Sequence, residues 1–228
     1  MNENKKIKLM IGIPTASALL HRKFVQSLMS LQYPPNVDVD INICEGFQLP
    51  FARNRIVQNA LEMNADYLFW LDADMIFPSD SLQRLFDRKV DICHALSFRR
   101  ISPHYPCLFA WNSDTNAYET IDYSLNKSDM INVDAAGSAC TLINIDVYKK
   151  MKTPYYYYES HFFSSDLTFS MNAKKLGYAI YVDRTLKIGH IGEEVVITED
   201  FYLSNLSKHS KEDWNNNMKK ALKHKELY

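Results

Sequence analysis

The first hundred residues alternate apolar, strand-like runs with amphipathic helical stretches, and few folds accept that order. Residues 7–13 form an apolar run closed by Gly12 and Pro14, which predicts a buried strand ending in a turn. Ser17 is placed to cap a helix through about Leu31, because Leu20, Phe24, Leu28 and Leu31 recur at helical spacing. Pro34 and Pro35 end it. Val37 to Cys44 alternates apolar residues with Asp38, Asp40 and Asn42, a second strand. Residues 51–63 read as a second helix and 67–71 as a short, strongly apolar third strand. Ser79 is placed to cap a third helix with Leu82, Leu85 and Phe86 inward, and residues 90–98 read as a fourth strand. This alternation implies an α/β fold whose mostly parallel central sheet carries helices on both faces. In such sheets ligands bind beyond the carboxyl ends of the strands. Thr15, Glu45, Asp72, Asp74 and Arg99 all fall there.

The second half is less regular. Residues 103–126 suggest a hairpin or long loop with turn signals at 112–116, and 131–133 and 138–145 read as strands around Gly137. Ser164 or Ser165 is placed to cap a helix to about Leu176, stopped by Gly177. Residues 178–182 and 186–188 read as two short strands. From Ser207 the chain is rich in Lys, Asn, His and Glu, a weakly docked helix or a tail. With no repeat and no linker, a single domain over 1–228 is expected.

Composition narrows the partners. Hydrophobic residues at 46% and charged residues at 23% are ordinary globular values. A net charge of −1 gives no global basic field for nucleic acid or an anionic membrane. Cys44, Cys93, Cys107 and Cys140 lack C-x-x-C spacing, which argues against a zinc site or a disulfide framework. The apolar run after the polar start is too short for a signal peptide, and none approaches the ~20 residues a spanning helix needs. A cytoplasmic protein without a membrane span is expected.

The strongest chemical signal is Leu68-Phe69-Trp70-Leu71-Asp72-Ala73-Asp74-Met75. Two carboxylates one residue apart at a strand end converge on one point and repel each other, so they call for a cation. A hard divalent ion that also bridges diphosphate oxygens suits them, and two solvated acids at a turn is the plainer alternative. The glycines around His190 suit close backbone approach to a bound molecule or a tight turn, and Asp166 suits a helix start, where the dipole favours an acid. Arg53, Arg99 and Arg100 suit phosphate or a solvated surface. Tyr155 to Tyr158, with His161, Phe162 and Phe163, suggest an aromatic wall packing against a sugar or base ring, a loop over the site or a subunit contact.

Around Asp72-Ala73-Asp74 the chain resembles the GT-A glycosyltransferases of the family-2-like, bacterial or bacteriophage type. The likeness runs through Pro50-Phe51-Ala52-Arg53-Asn54-Arg55, Phe77-Pro78-Ser79-Asp80-Ser81-Leu82, Ala136-Gly137-Ser138-Ala139-Cys140, Ser165-Asp166-Leu167-Thr168-Phe169 and Gly189-His190-Ile191-Gly192. These elements keep the family's order over most of the chain. The resemblance implies a metal-dependent transferase of EC class 2.4 moving a sugar from a UDP- or GDP-linked donor to an acceptor hydroxyl. It implies Mn²⁺ or Mg²⁺ held by Asp72, Asp74 and His190, with Asp166 as catalytic base. Donor contacts would come from Pro14, Thr15, Glu45, Arg53, Asp72, Ala73, Gly137 and Ser138. Residues 1–100 would then be the nucleotide-sugar half, 101–206 the acceptor half, and 207–228 a terminal helix or tail. The acceptor, whether glycan, protein, small molecule or hydroxylated DNA base, is left open, as are the oligomeric state and the anomeric outcome. One departure stands out: the family's glutamate before the aspartate is Ser165 here. A nucleotidyltransferase would show a Gly-rich phosphate loop where Ile11-Gly12-Ile13-Pro14-Thr15 stands, and a catalytically silent nucleotide-sugar-binding protein is the other alternative.

Overall fold

The computed structural model describes residues 6–46, 48–159, 163–192 and 195–205, so the segment from Ser207 lies outside the described residues. The first part of the chain runs β1 (Ile7–Thr15), α1 (Arg22–Ser30), β2 (Val37–Glu45), α2 (Leu49–Glu62), β3 (Tyr67–Leu71), β4 (Met75–Ile76), α3 (Ser81–Asp87) and β5 (Ile92–Leu96). The hairpin strands β6 (Leu108–Asn112) and β7 (Ala117–Thr120) follow, then β8 (Met130–Val133), β9 (Ala135–Ala136), β10 (Cys140–Asn144) and α4 (Ile145–Lys150). The last elements are α5 (Ser165–Lys175), β11 (Ile180–Lys187), β12 (Gly189–Ile191), β13 (Val196–Ile197) and α6 (Glu199–Asn205).

The central sheet has seven strands in the order β2-β1-β3-β10-β5-β11-β8. The strands β2, β1, β3, β5 and β11 share one direction, while β10 and β8 run against them. Period-2 alternation sends side chains to two cores. On β1, Leu9, Ile11 and Ile13 join Phe24 of α1 and Leu82 and Leu85 of α3 on one face. Met10 turns to the other face, with Ile56, Val57 and Ala60 of α2. Likewise Phe69 and Leu71 of β3 face α1 and α3, whereas Leu68 and Trp70 face α2 and α4. Fully burying a side chain of this size contributes about 1.5–3 kcal/mol, so two stacked cores fix the register of the inner strands. The edge strand β2 instead exposes Asp38 and Asp40, which blunts pairing with another chain.

Several boundaries differ from expectation, each for a local reason. Helix α1 begins at Arg22, not near Ser17, because the His21 ring accepts the Lys23 N–H at 3.1 Å through Nδ1. Ser17 instead closes a turn: its N–H donates to Thr15 Oγ1 at 3.1 Å and its carbonyl accepts the Thr15 hydroxyl at 2.9 Å. Asp80 rather than Ser79 flanks α3, and neither Asp80 there nor Ser164 before α5 makes a side-chain cap. The two short strands expected over 178–188 are one, β11, with a register shift between Asp183 and Lys187. Asp183 Oδ1 accepts the N–H of Thr185 at 2.8 Å and of Leu186 at 3.3 Å, which buckles the strand there.

Candidate active site

A second, smaller sheet builds half of the site. Strand β12 lies between β13 and β4, with His190 opposite Met75, and the Ile191 N–H donates to the Asp74 carbonyl at 2.8 Å. Gly189 permits this closeness, since a Cβ there would stand 2.7 Å from Val196 Cγ1. The pairing carries His190 across 116 residues of sequence to Asp74, with Nε2 3.0 Å from Oδ2. On the far side of the ring, Nδ1 lies 2.9 Å from the Phe98 carbonyl oxygen. Arg100 Nη1 approaches the same Asp74 Oδ2 at 3.3 Å. A ring whose two nitrogens both face acceptors favours its doubly protonated form. Burial alone would lower the His190 pKa, but the bond and charge of Asp74 raise it above the ordinary histidine value. Burial pushes the Asp74 carboxyl up, and the hydrogen bond and charge of His190 with the charge of Arg100 pull it lower still.

Asp72 looks the other way. Its Oδ1 accepts from Arg53 Nη2 at 2.9 Å, and Arg53 Nη1 lies 3.5 Å from Asp166 Oδ1. Arg53 has 0% side-chain exposure, against 24% for Asp72 and 20% for Asp166. The guanidinium sits 5.2 Å from the Trp70 ring centroid and 5.4 Å from that of Tyr156. Burial would lower its pKa, yet Asp166 and Asp72 more than offset this and raise it. Burial raises Asp72 to about 7 despite Arg53, with Asp166 and Asp74 adding to the rise. Arg53 Nε and Nη1 and Asp166 Oδ1 are buried without an aligned hydrogen bond, so the Arg53–Asp166 contact is one of charge.

Neither sequence expectation for Arg53 describes this placement: it is no surface charge, and its fork meets two aspartates inside the protein. The signal was present in the sequence. Arg53 stands three residues before Ile56 and seven before Ala60, on the helical stripe that α2 buries. The backbone N–H of Asp72 donates to the Ala139 carbonyl at 2.9 Å, which draws the turn through Gly137 and Ser138 beside the D-x-D strand. The Gly137 carbonyl is held by His94 Nδ1 at 3.0 Å, and burial lowers His94 to about 4, so the ring is neutral. Sequence reading missed His94 because it lies in the fully buried run of β5. Ser138 is 1% exposed with an unpartnered hydroxyl, and Ala73 is half-buried.

The remaining expected residues fall at the same strand ends. Thr15 is level with Glu45 and Pro14 with Cys44 across the β1–β2 pair, although the Thr15 hydroxyl is spent on Ser17. A cleft of about 650 Å³ opens beside Glu45, lined also by Asn42, Cys44, Phe51, Arg55 and Gln58. Asn54, given no role from sequence, clamps the tyrosine run. Its Oδ1 accepts the N–H groups of Tyr155 and Tyr156 at 2.8 and 3.1 Å, and its Nδ2 donates to the Tyr156 carbonyl at 2.6 Å. Tyr155 and Tyr156 are core residues, and only Tyr158 of the run is exposed. That corrects the aromatic wall for these two, and His161 and Phe162 lie outside the described residues.

The expected metal ligands are partly assembled. Asp74 and His190 touch, while Arg53 holds Asp72 aside, and among the described residues no three His, Cys, Asp or Glu side chains form a metal-holding group. The donor chemistry nevertheless fits a hard divalent cation. Carboxylate oxygens and an imidazole are suitable ligands, and an Nδ1–H fixed on a backbone carbonyl is the usual support of a ligating Nε2.

No family model matches the chain, and no curated protein matches it. Among solved structures it is similar to A197 from STIV, with a TM-score of 0.60 and 16% identity over 85% of this chain and 91% of that one. This likeness shows the fold. The chain is also similar to S. aureus TarS 1–349, solved in complex with UDP, with a TM-score of 0.49 and 14% identity over 77% of this chain and 57% of that one. At that score the overlay adds nothing to the fold assignment. The mostly parallel seven-stranded sheet with helices on both faces is a GT-A-like α/β architecture. Among the described residues no helix is long and apolar enough to cross a membrane.

Proposed function

We propose that this chain is a metal-dependent glycosyltransferase that moves a sugar from a UDP- or GDP-linked donor to an acceptor hydroxyl. The observation that carries the reading is convergence. Two contacts lie beside the turn that follows β3: Arg53 joins Asp72 to Asp166, and His190 pairs with Asp74, at the strand end where α/β folds bind nucleotides. Asp74, His190 and the partly exposed Asp72 would hold Mn²⁺ or Mg²⁺. A divalent cation there supplies positive charge to the departing diphosphate.

The protein's own groups have separate tasks. Asp166, in the first turn of α5, would accept the proton of the attacking acceptor hydroxyl in an inverting reaction. Arg53 keeps one oxygen of Asp166 and one of Asp72 in place. Gly137 and Ser138 would flank the sugar, and Pro14, Thr15 and Glu45 the nucleoside, beside the cleft at Glu45. Ser165 puts a short, neutral and buried side chain where the family has a glutamate, which keeps a silent nucleotide-sugar-binding protein as the second reading. The test is release of free sugar from UDP-, GDP- and dTDP-sugars with and without Mn²⁺. Metal-dependent hydrolysis of one donor supports the transferase. Metal-dependent binding without turnover favours the silent protein, and no binding to any donor rejects both.

A further inference from the structure

The loop after β5 places one arginine where a cation belongs. The Phe98–Pro106 bridge and the Arg99 N–H to Tyr105 carbonyl bond of 2.9 Å close the loop at its base. Near its tip Ile101 is 76% exposed, and beside it Arg100 is 55% exposed. From this tip Arg100 Nη1 reaches Asp74 Oδ2 at 3.3 Å, the same oxygen that faces His190 Nε2 at 3.0 Å. The guanidinium and the imidazole thus converge on one carboxylate oxygen.

We infer that Arg100 is an exchangeable counter-ion: it occupies Asp74 until a divalent cation arrives, and then moves to the phosphates that the cation brings. The inference rests on the glycosyltransferase reading and adds to it a donor-binding residue and an order of events. Three observations carry it. First, an arginine and a divalent cation cannot share one carboxylate oxygen without strong repulsion. Second, the Arg100–Asp74 pair is exposed, and exposed pairs are weak, so displacement costs little. Third, the displaced guanidinium stays tethered at the carboxyl ends of the strands. Its planar fork matches two phosphate oxygens better than one carboxylate oxygen at 3.3 Å.

The two roles have opposite signs in one variant. In Arg100→Ala, Mn²⁺ alone binds about two- to fivefold more tightly, because a weak competitor has gone. In the same variant, at saturating Mn²⁺, UDP or GDP binds at least about tenfold more weakly, because a charge-assisted contact has gone. Arg100→Lys keeps the competing charge, so its Mn²⁺ affinity returns toward that of the native chain. Isothermal titration with Mn²⁺ alone, then with UDP or GDP at saturating Mn²⁺, reads both effects without turnover. Equal affinities in Arg100→Ala and the native chain would overturn the inference, as would weakening of both. If the native chain binds Mn²⁺ and nucleotide normally, such a result leaves the transferase reading standing. If the native chain binds neither, the reading fails and the exchange fails with it.

Discussion

Replacing Arg53 by methionine removes a permanent charge from between two carboxylates while keeping much of the aliphatic volume. Breaking a buried ion pair from one side costs about 3–5 kcal/mol, because the surviving charges lose their partner inside the protein. Asp72 and Asp166 have only 24% and 20% exposure, so water recovers little of that cost. Protonation recovers more. Asp72 is already raised to about 7 with Arg53 present, and without it the folded-state value climbs further. A carboxyl whose folded pKa exceeds its unfolded value of about 3.9 binds more protons in the folded state, so stability falls as pH rises through that window. The penalty for Arg53→Met is therefore smaller in acid: native and variant diverge only above about pH 7, so it grows by about 1.4 kcal/mol, from about 3 kcal/mol at pH 5 to about 4 kcal/mol at pH 8. Typical domain stabilities of about 5–15 kcal/mol leave a measurable transition. Urea denaturation in metal-free buffer at both pH values checks the figures. A penalty under about 1 kcal/mol at both, or one larger at pH 5 than at pH 8, would refute the internal counter-ion.

Three further outcomes follow from the same contacts. Mn²⁺ must displace a proton from His190, raised above its ordinary value, and from Asp72 at about 7, so its affinity rises with pH through neutrality and then levels; titration from pH 5.5 to 8.5 shows the slope, and a flat profile excludes these ligands. Asn54→Ala strands the Tyr155 and Tyr156 N–H groups and costs about 2–4 kcal/mol in urea melts, with faster hydrogen exchange at those two amides. Gly12→Ala puts a methyl 2.7 Å from Ile56 Cγ2 and 3.0 Å from the Trp70 ring, a cost of about 1–3 kcal/mol by the same melts, whereas an unchanged midpoint would mean that α2 can retreat from β1.

Sequence and structure agree where the cause is local. The strand before Asp72 was legible to the residue, Tyr67 to Leu71, because five apolar residues end abruptly in acids. The turn at 112–116, which joins β6 to β7, and the stop at Gly177, whose φ is +86°, were legible for the same kind of reason, although a long loop over 103–126 was the open alternative to the hairpin. Sheet order was not. Nothing near Cys140 announces that β10 inserts antiparallel between β3 and β5, since that choice depends on strands far apart in the chain. The site divides the same way. Asp72 and Asp74 were readable as a pair, but not that Arg53 would claim one and His190 with Arg100 the other. A charge on a buried helical stripe was the available clue, and it carries meaning only once Trp70 and Tyr156 are seen to enclose it.

The most direct measurement is calorimetric titration of UDP and GDP into the native chain and into Asp74→Ala, each with Mn²⁺ and with chelator. The account predicts that one nucleotide binds the native chain only with Mn²⁺, and that Asp74→Ala, fully folded by circular dichroism, binds neither nucleotide under either condition. Binding that is equal with and without Mn²⁺, or that survives in Asp74→Ala, would contradict a metal-held diphosphate at this site.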